Sequence, residues 1–496
     1  MRLLLKRLFA TQSITETIKK MSGNQVLART LGPGQLTMMG IGAIIGAGIF
    51  VLTGTAAAQF AGPAVVLSFL VALIPCFFAA LCYAEFSALI PTSGTAYAYT
   101  YHTMGEFVAW IVGWSLSLEY LFSCGTLGVG FSGYFVSLMK DIGITIPAKF
   151  TAAPYSYDAI SGWVATGSYF DLPAMTIIAL VGILIACGTQ GVAKINNLLV
   201  VIKMTVILLF VGIGLFFVKK ANWFTGTGML GGFIPENTGI YGVYGLSGIL
   251  RGAGYVFFAF IGFDSLASLS QETKNPQKSL PIGMLASLFI SALAFVLVAL
   301  VITGVVNYTQ LNVSFPAALV VEAFGPAFNW LSYVINGGIL AALISVILVM
   351  MLGQTRIFMA MSDDGLIPKR FASINAKTKA PLFGTVFTTL LAMALAGVIP
   401  ISLLASLVSM GTLLIFTIVC FGVLILRKTQ PNLPRPFRTP FVPLVPLLGG
   451  FSCIALMVSL SLITWVQLGI WLAIGLFVYF GYSMNHSKLQ LKLKLK

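Results

Sequence analysis

Residues 40–50 read GIGAIIGAGIF, with Gly40, Gly42, Gly46 and Gly48 inside an apolar run that extends from about 36 to 58. Each glycine in a helix interior costs about 1 kcal/mol relative to alanine, so a helix laid over this run opens easily near its middle. The run is also long enough to cross a bilayer, which takes roughly 20 apolar residues as helix. A membrane-spanning helix that is easily interrupted is therefore expected here. The rest of the chain decides what the interruption does.

The 496 residues are 58% hydrophobic and 8% charged, against about a quarter charged in a soluble domain. Further apolar runs lie near 64–84, 107–139, 172–190, 197–218 and 248–271, and then near 283–306, 331–355, 383–399, 402–426, 442–462 and 464–484. Lipid offers no partner to a free backbone N–H or C=O, so such runs are helical. The expectation is an all-α membrane protein of about twelve transmembrane helices. Loops leave no room for a second soluble domain, and the longest outer connections, 141–171, 219–247 and 307–330, read as partly ordered caps.

The net charge of +15 does not point to nucleic acid, because the bases are sorted by side. With the N-terminus inside, inward-facing segments hold 22 of the 28 Lys and Arg residues, and the outer loops hold Lys140, Lys149, Lys219 and Lys220. By the positive-inside rule both termini face the cytoplasm. The segments 1–35 and 485–496 are then a cytoplasmic N-terminal stretch and a basic tail. All six cysteines fall in predicted helices without metal-ligand spacing, so no cofactor or metal is expected. His102 and His486 lie outside span interiors, and no HExxH or GxSxG pattern occurs, which leaves an intramembrane enzyme without support.

A second interruption is expected at FFAFIGFD, residues 257–264, five helices after the first. One reading of the glycine run is a small-xxx-small packing face, Gly42 to Gly46. The other is an unwound stretch presenting free N–H groups and a half-helix end to a carboxylate. The matching break in the second half favours the functional reading. It also divides the chain into five-helix units at 36–218 and 248–426, with two additional helices at 442–484.

Charged groups deep in a span cost at least about 2.5 kcal/mol on insertion scales, so each is a functional candidate. Asp264 follows the second break and suits a substrate ammonium, a proton or a half-helix cap. Lys203 lies within 197–218 and either snorkels inward or gains and loses a proton during transport. Glu119 sits mid-span in the third helix, with Lys203 the obvious partner for a relay or a static tie. Arg251 reads as an outer anchor or gate residue. Glu85 and Glu272 read as hydrated inner-interface residues, and Phe258 is the aromatic placed to close over a substrate.

The run GIGAIIGAGIFVLTG at 40–54, AGPA at 61–64, CYAEF at 82–86 and PTSGTAY at 91–97 resemble the amino acid-polyamine-organocation superfamily. FFAFIGFD with QETKNPQKSLPIG at 271–283, and GQTRIFMAMSDDGLIP at 353–368, resemble its cationic amino acid transporter branch and bacterial relatives. The resemblance implies a five-plus-five inverted repeat, alternating access and proton-coupled uptake of L-amino acids. It implies a substrate carboxylate on the backbone around Ile44, Gly46, Ala47 and Gly48, and an ammonium on carbonyls around Phe258, Ala259 and Ile261. Asp264 then belongs to the substrate site, with Ser345 a further lining candidate. Lys203 stands where sodium-coupled relatives hold a sodium ion, with Glu119 its partner, which favours protons. Ala47 replaces a threonine of the close bacterial pattern, removing one hydroxyl from the site.

The expected function is proton-coupled import of L-amino acids across the inner membrane, cationic substrates (Arg, Lys, ornithine) ahead of small neutral ones such as alanine. Amino acid/amine exchange and non-transporting sensing are the alternatives. Expected partners are the amino acid, the proton and membrane lipid, and a small membrane subunit is left open.

Overall fold

The computed structural model describes residues 7–12, 14, 31–46, 48–92, 94–158, 162–313, 316–375, 378 and 380–494. Among these, eight helices are long and apolar enough to cross a membrane, and three shorter apolar helices accompany them. The chain is an all-α membrane protein. One departure is a small antiparallel hairpin in the first long connection, Tyr155–Asp158 (β1) paired with Gly162–Ala165 (β2).

The first span is broken as its glycines predict. Helix α1 (Pro33–Ile44) starts with Pro33 at its first position, and the Gln35 side chain accepts the Gly32 N–H at 3.0 Å. It stops where Ile45 turns to extended backbone, and a π-helical turn resumes over Gly48–Leu52. Then come α2 (Val65–Leu89), α3 (Thr95–Thr103), α4 (Glu106–Asp141), α5 (Leu172–Ala186) and α6 (Thr189–Gly214).

The second half opens with α7 (Gly245–Val256), which tightens to a 3-10 turn over Phe257–Phe260 and breaks at Ile261 and Gly262. It resumes as a 3-10 segment, Phe263–Glu272. Helices α8 (Pro276–Val305), α9 (Asn329–Asp363), α10 (Leu382–Val398) and α11 (Ile401–Thr429) follow, then α12 (Leu444–Ser459) and α13 (Leu462–Val478). Lengths recur in order: 25, 36, 15 and 26 residues for α2, α4, α5 and α6, against 30, 35, 17 and 29 for α8 to α11. A broken first member and a short fourth member thus appear in each half.

The two readings of the glycine run divide along it. A Cβ at Gly40 would lie 2.3 Å from the Ser287 Oγ of α8, and one at Gly42 would lie 2.9 Å from the Asn196 Nδ2 of α6. These glycines serve close helix approach. Gly46 and Gly48 flank the unwound turn.

Two sequence expectations, for Glu85 and Cys187, are corrected here. Glu85 is fully buried, not hydrated. Its carboxylate takes a two-pronged bond from Arg427 at 2.9 and 2.8 Å, faces Arg435 Nε at 3.2 Å, and accepts the Thr439 N–H at 2.8 Å. It ties the end of α2 to the last turn of α11 and the segment that follows. Glu272 pairs with Arg356 at 2.5 Å. Cys187 caps α5 and is exposed, outside the helix, whereas the other five cysteines are buried.

Glu106, at the start of α4, is also fully buried. It accepts from Tyr101 and Tyr479 hydroxyls at 3.1 Å each, from Gln490 Nε2 at 3.3 Å, and from Ser487 Oγ. Gln490 in turn bonds both the side chain and the backbone of Arg7.

Candidate substrate and coupling site

The two breaks face one another. A Cβ at Gly48 would lie 2.3 Å from the Ala259 Cβ, and one at Gly262 would lie 2.8 Å from the Ala43 carbonyl oxygen. Gly262 also has φ +123°, a backbone region open chiefly to glycine. Only residues without side chains let these backbones approach so closely.

Between them lies a cavity of about 10 Å³, lined by Ala43, Ile44, Gly46 and Gly48 from the first break and Phe258, Ala259 and Ile261 from the second. Ser123 and Leu127 of α4 and Val346 and Met350 of α9 close it. That volume holds about one water molecule, so its walls must part to admit anything larger. The turn at Gly48–Leu52 begins with N–H groups that have no preceding helical turn to bond, and α1 ends in carbonyls in the same position. One side of the cavity therefore offers donors to an anion, and the other side chains lining it are apolar except for Ser123.

Six of the residues expected at the substrate site, Ile44, Gly46, Gly48, Phe258, Ala259 and Ile261, line this cavity. Ala47 lies outside the described residues. Asp264 and Ser345 are not part of the lining. The Asp264 carboxylate instead accepts the Tyr120 hydroxyl at 3.0 Å, behind the second break.

Ser345 belongs to a neighbouring cluster. Lys203, with none of its surface exposed, donates to the carbonyls of Gly42 and Ile45 at 2.8 Å each and reaches Ser345 Oγ at 3.4 Å. Ser345 Oγ in turn lies 2.9 Å from Asn196 Oδ1. The ammonium sits at the C-terminal end of α1, the negative end of a half-helix dipole, on carbonyls that the break has left without helical partners. Snorkelling is excluded.

The pairing of Glu119 with Lys203 is not made. Lys203 is occupied by the first break, while both Glu119 oxygens are buried without a hydrogen-bond partner, facing Thr412 and Asp264. Glu119 lies one turn before Ser123 on α4, and the adjacent Tyr120 bonds Asp264. Arg251 lies as expected near the start of α7, its guanidinium 5.1 Å from the Phe60 ring centre and bonded to the Tyr241 carbonyl at 3.3 Å.

Sequence reasoning missed Ala43, Ser123, Leu127, Val346 and Met350, because nothing local separates the lining residues from others of the same type on their helices. Asn196 and Tyr120 were missed as well, since nothing in the sequence gives their partners Ser345 and Asp264.

A helical membrane protein with two broken helices crossed at a small central cavity, and a buried cation on one of the breaks, is built as a secondary transporter. The amino acid permease family model matches residues 31–482, and the chain belongs to that family. It is 42% identical over 482 residues to the branched-chain amino acid permease BcaP of Bacillus subtilis (strain 168), covering 97% of this chain and 98% of the relative. It is 40% identical over 474 residues to the methylthioribose transporter of the same organism, covering 96% and 97%. Similarity to human cationic amino acid transporter 4 is 29% over 582 residues, covering 93% and 88%.

Proposed function

We propose that this permease imports neutral L-amino acids with aliphatic side chains, driven by protons moving inward. The observation that carries the substrate class is the cavity lining. Its side-chain end is Leu127, Val346, Met350 and Phe258, and Ser123 is the one polar side chain among the described residues lining it. A cationic side chain entering this space would be desolvated with no carboxylate among the lining residues, which costs several kcal/mol for an unpaired buried ion. Asp264 is engaged with Tyr120 instead. The preference for arginine or lysine expected from the sequence is therefore reversed in this reading, in keeping with the 42% identity to a branched-chain permease.

The α-carboxylate binds the N–H groups opening the turn at Gly48, and the α-ammonium binds carbonyls of the second break. Lys203 carries the coupling. Its protonated form holds the end of α1 through the Gly42 and Ile45 carbonyls, and loss of the proton removes the charge from the half-helix end and frees α1 to move. Residues 36–218 and 248–426 form the two inverted units, and both termini lie in the cytoplasm, an orientation that the charge distribution supports.

The test is uptake of labelled valine, leucine and arginine into proteoliposomes, acidic outside, with and without a protonophore. Valine and leucine uptake that the protonophore abolishes is expected. Arginine uptake exceeding both would overturn the substrate reading, and flux only after preloading with amino acid would replace symport by exchange. The identity to a methylthioribose transporter supports a second reading, in which the Ser123 hydroxyl meets a sugar hydroxyl and Met350 a thioether. Unlabelled methylthioribose blocking valine uptake would favour it.

A further inference from the structure

We infer that Ser123 makes the side-chain end of the cavity a hydroxyl-reading site, so that the permease takes threonine as well as its apolar isostere valine. This rests on the neutral amino acid reading above and deepens it.

Ser123 is 1% exposed and lines the cavity midway along α4, one turn before Leu127 and facing Val346 and Met350. Its Oγ has no hydrogen-bond partner in the protein. On the same helix Ser117 bonds the Gly113 carbonyl at 3.1 Å and Thr126 the Phe122 carbonyl at 2.9 Å, whereas Ser115 and Ser132 also lack a hydrogen-bond partner, and Ser123 differs from those two in lining the cavity. Ser123 keeps both donor and acceptor free at the cavity wall. The α-carboxylate and α-ammonium are directed to the break backbones, so Ser123 meets the substrate at its Cβ or beyond.

Valine and threonine fill nearly the same volume and differ by a methyl against a hydroxyl. Beside valine, the Ser123 hydroxyl stays unpaired in a dry site. Beside threonine, both hydroxyls are paired. Removing the serine hydroxyl reverses the balance, because threonine then carries the unpaired group. An unsatisfied buried hydroxyl is worth roughly a tenfold change in affinity, so Ser123→Ala should move the threonine-to-valine ratio of kcat/KM by about tenfold toward valine.

The experiment measures labelled valine and threonine uptake by the full-length wild type, Ser123→Ala and Ser123→Cys in proteoliposomes under one proton gradient. In the wild type, unlabelled threonine should inhibit valine uptake at concentrations within about tenfold of those of unlabelled valine. Threonine that fails to compete overturns the inference without need of any variant. A ratio unchanged in Ser123→Ala, with both rates falling together, overturns it too and leaves Ser123 as a packing residue. Ser123→Cys retains the volume and only a weak donor, and should shift the ratio in the same direction even if the alanine variant fails to fold. A wild type that carries neither valine nor threonine would refute the neutral amino acid reading itself.

Discussion

A methyl group added at Gly48 by Gly48→Ala would lie 2.3 Å from the Ala259 Cβ, 2.5 Å from its Cα and 3.2 Å from its backbone nitrogen. Ordinary contact begins near 3.4 Å, so the two breaks must separate by roughly 1 Å where they cross. Two of the three obstructing atoms are backbone and cannot rotate away. Overpacking of this kind costs about 1–3 kcal/mol, equivalent to a loss of about 5- to 150-fold in apparent affinity at 1.4 kcal/mol per tenfold. Gly46→Ala is a sharp control. Its added Cβ meets the Val346 Cγ2 at 2.9 Å and the Leu127 Cδ2 at 3.3 Å, both ends of side chains that can turn aside. Ala259→Gly in the Gly48→Ala background removes the 2.3 Å contact but leaves the Cα, so rescue should be partial. The assay is a substrate-dependent thermal shift with valine in detergent, paired with uptake and with a size-exclusion profile to confirm folding. Gly48→Ala should bind far more weakly than Gly46→Ala. Equal affinities, or the reverse order, would refute the crossing of the two breaks as the frame of the site.

Lys203→Ala should abolish stimulation of valine uptake by an imposed proton gradient while leaving measurable valine counterflow, and gradient-driven uptake at wild-type rate would remove Lys203 from coupling. Glu85→Ala leaves the buried Arg435 and the Arg427 fork without their carboxylate and should destabilise the fold by about 3–5 kcal/mol, read as a lowered midpoint of thermal unfolding. Burial raises the carboxyl of Asp364, which follows the end of α9 and accepts the Tyr97 hydroxyl at 2.7 Å, to about 6. The folded state then binds its proton more tightly than the unfolded chain does, so this group disfavours folding progressively as pH rises from about 4 through 6. The gain in thermal stability from pH 7.5 to pH 5 should therefore shrink in Asp364→Asn, and an unchanged difference would show that Asp364 does not contribute.

Helix existence and helix breaks were legible because they depend on local chemistry: run length against bilayer thickness, and the conformational cost of glycine. Which face of each helix meets which neighbour was not. In a membrane, a helix is apolar on all sides, so the periodicity that reveals a buried stripe in water is absent. Glu119 illustrates the difference, since its mid-span position marked it as important, yet only packing turns it toward Thr412 and Asp264 and away from Lys203. Ser345, a lining candidate from the resemblance, belongs instead to the Lys203 cluster. Ser123 carries the same signal as Ser115 and Ser117 two turns earlier, and only the shape of the cavity singles it out. The Glu85 cluster draws on residues 342 to 354 positions away, beyond the reach of any local pattern.

The carboxylate of Glu106 gathers hydrogen bonds from Tyr101 nearby and from Tyr479, Ser487 and Gln490 more than 370 positions on, while Gln490 also grips Arg7. For anyone building fusions of this protein, neither end is a neutral place to cut. A version shortened before Tyr479 strips three of four donors from a charge that has no water to turn to, and a reporter joined immediately after Gln490 pulls on the same knot that holds Arg7. Tags belong beyond both, on spacers long enough to leave that knot undisturbed.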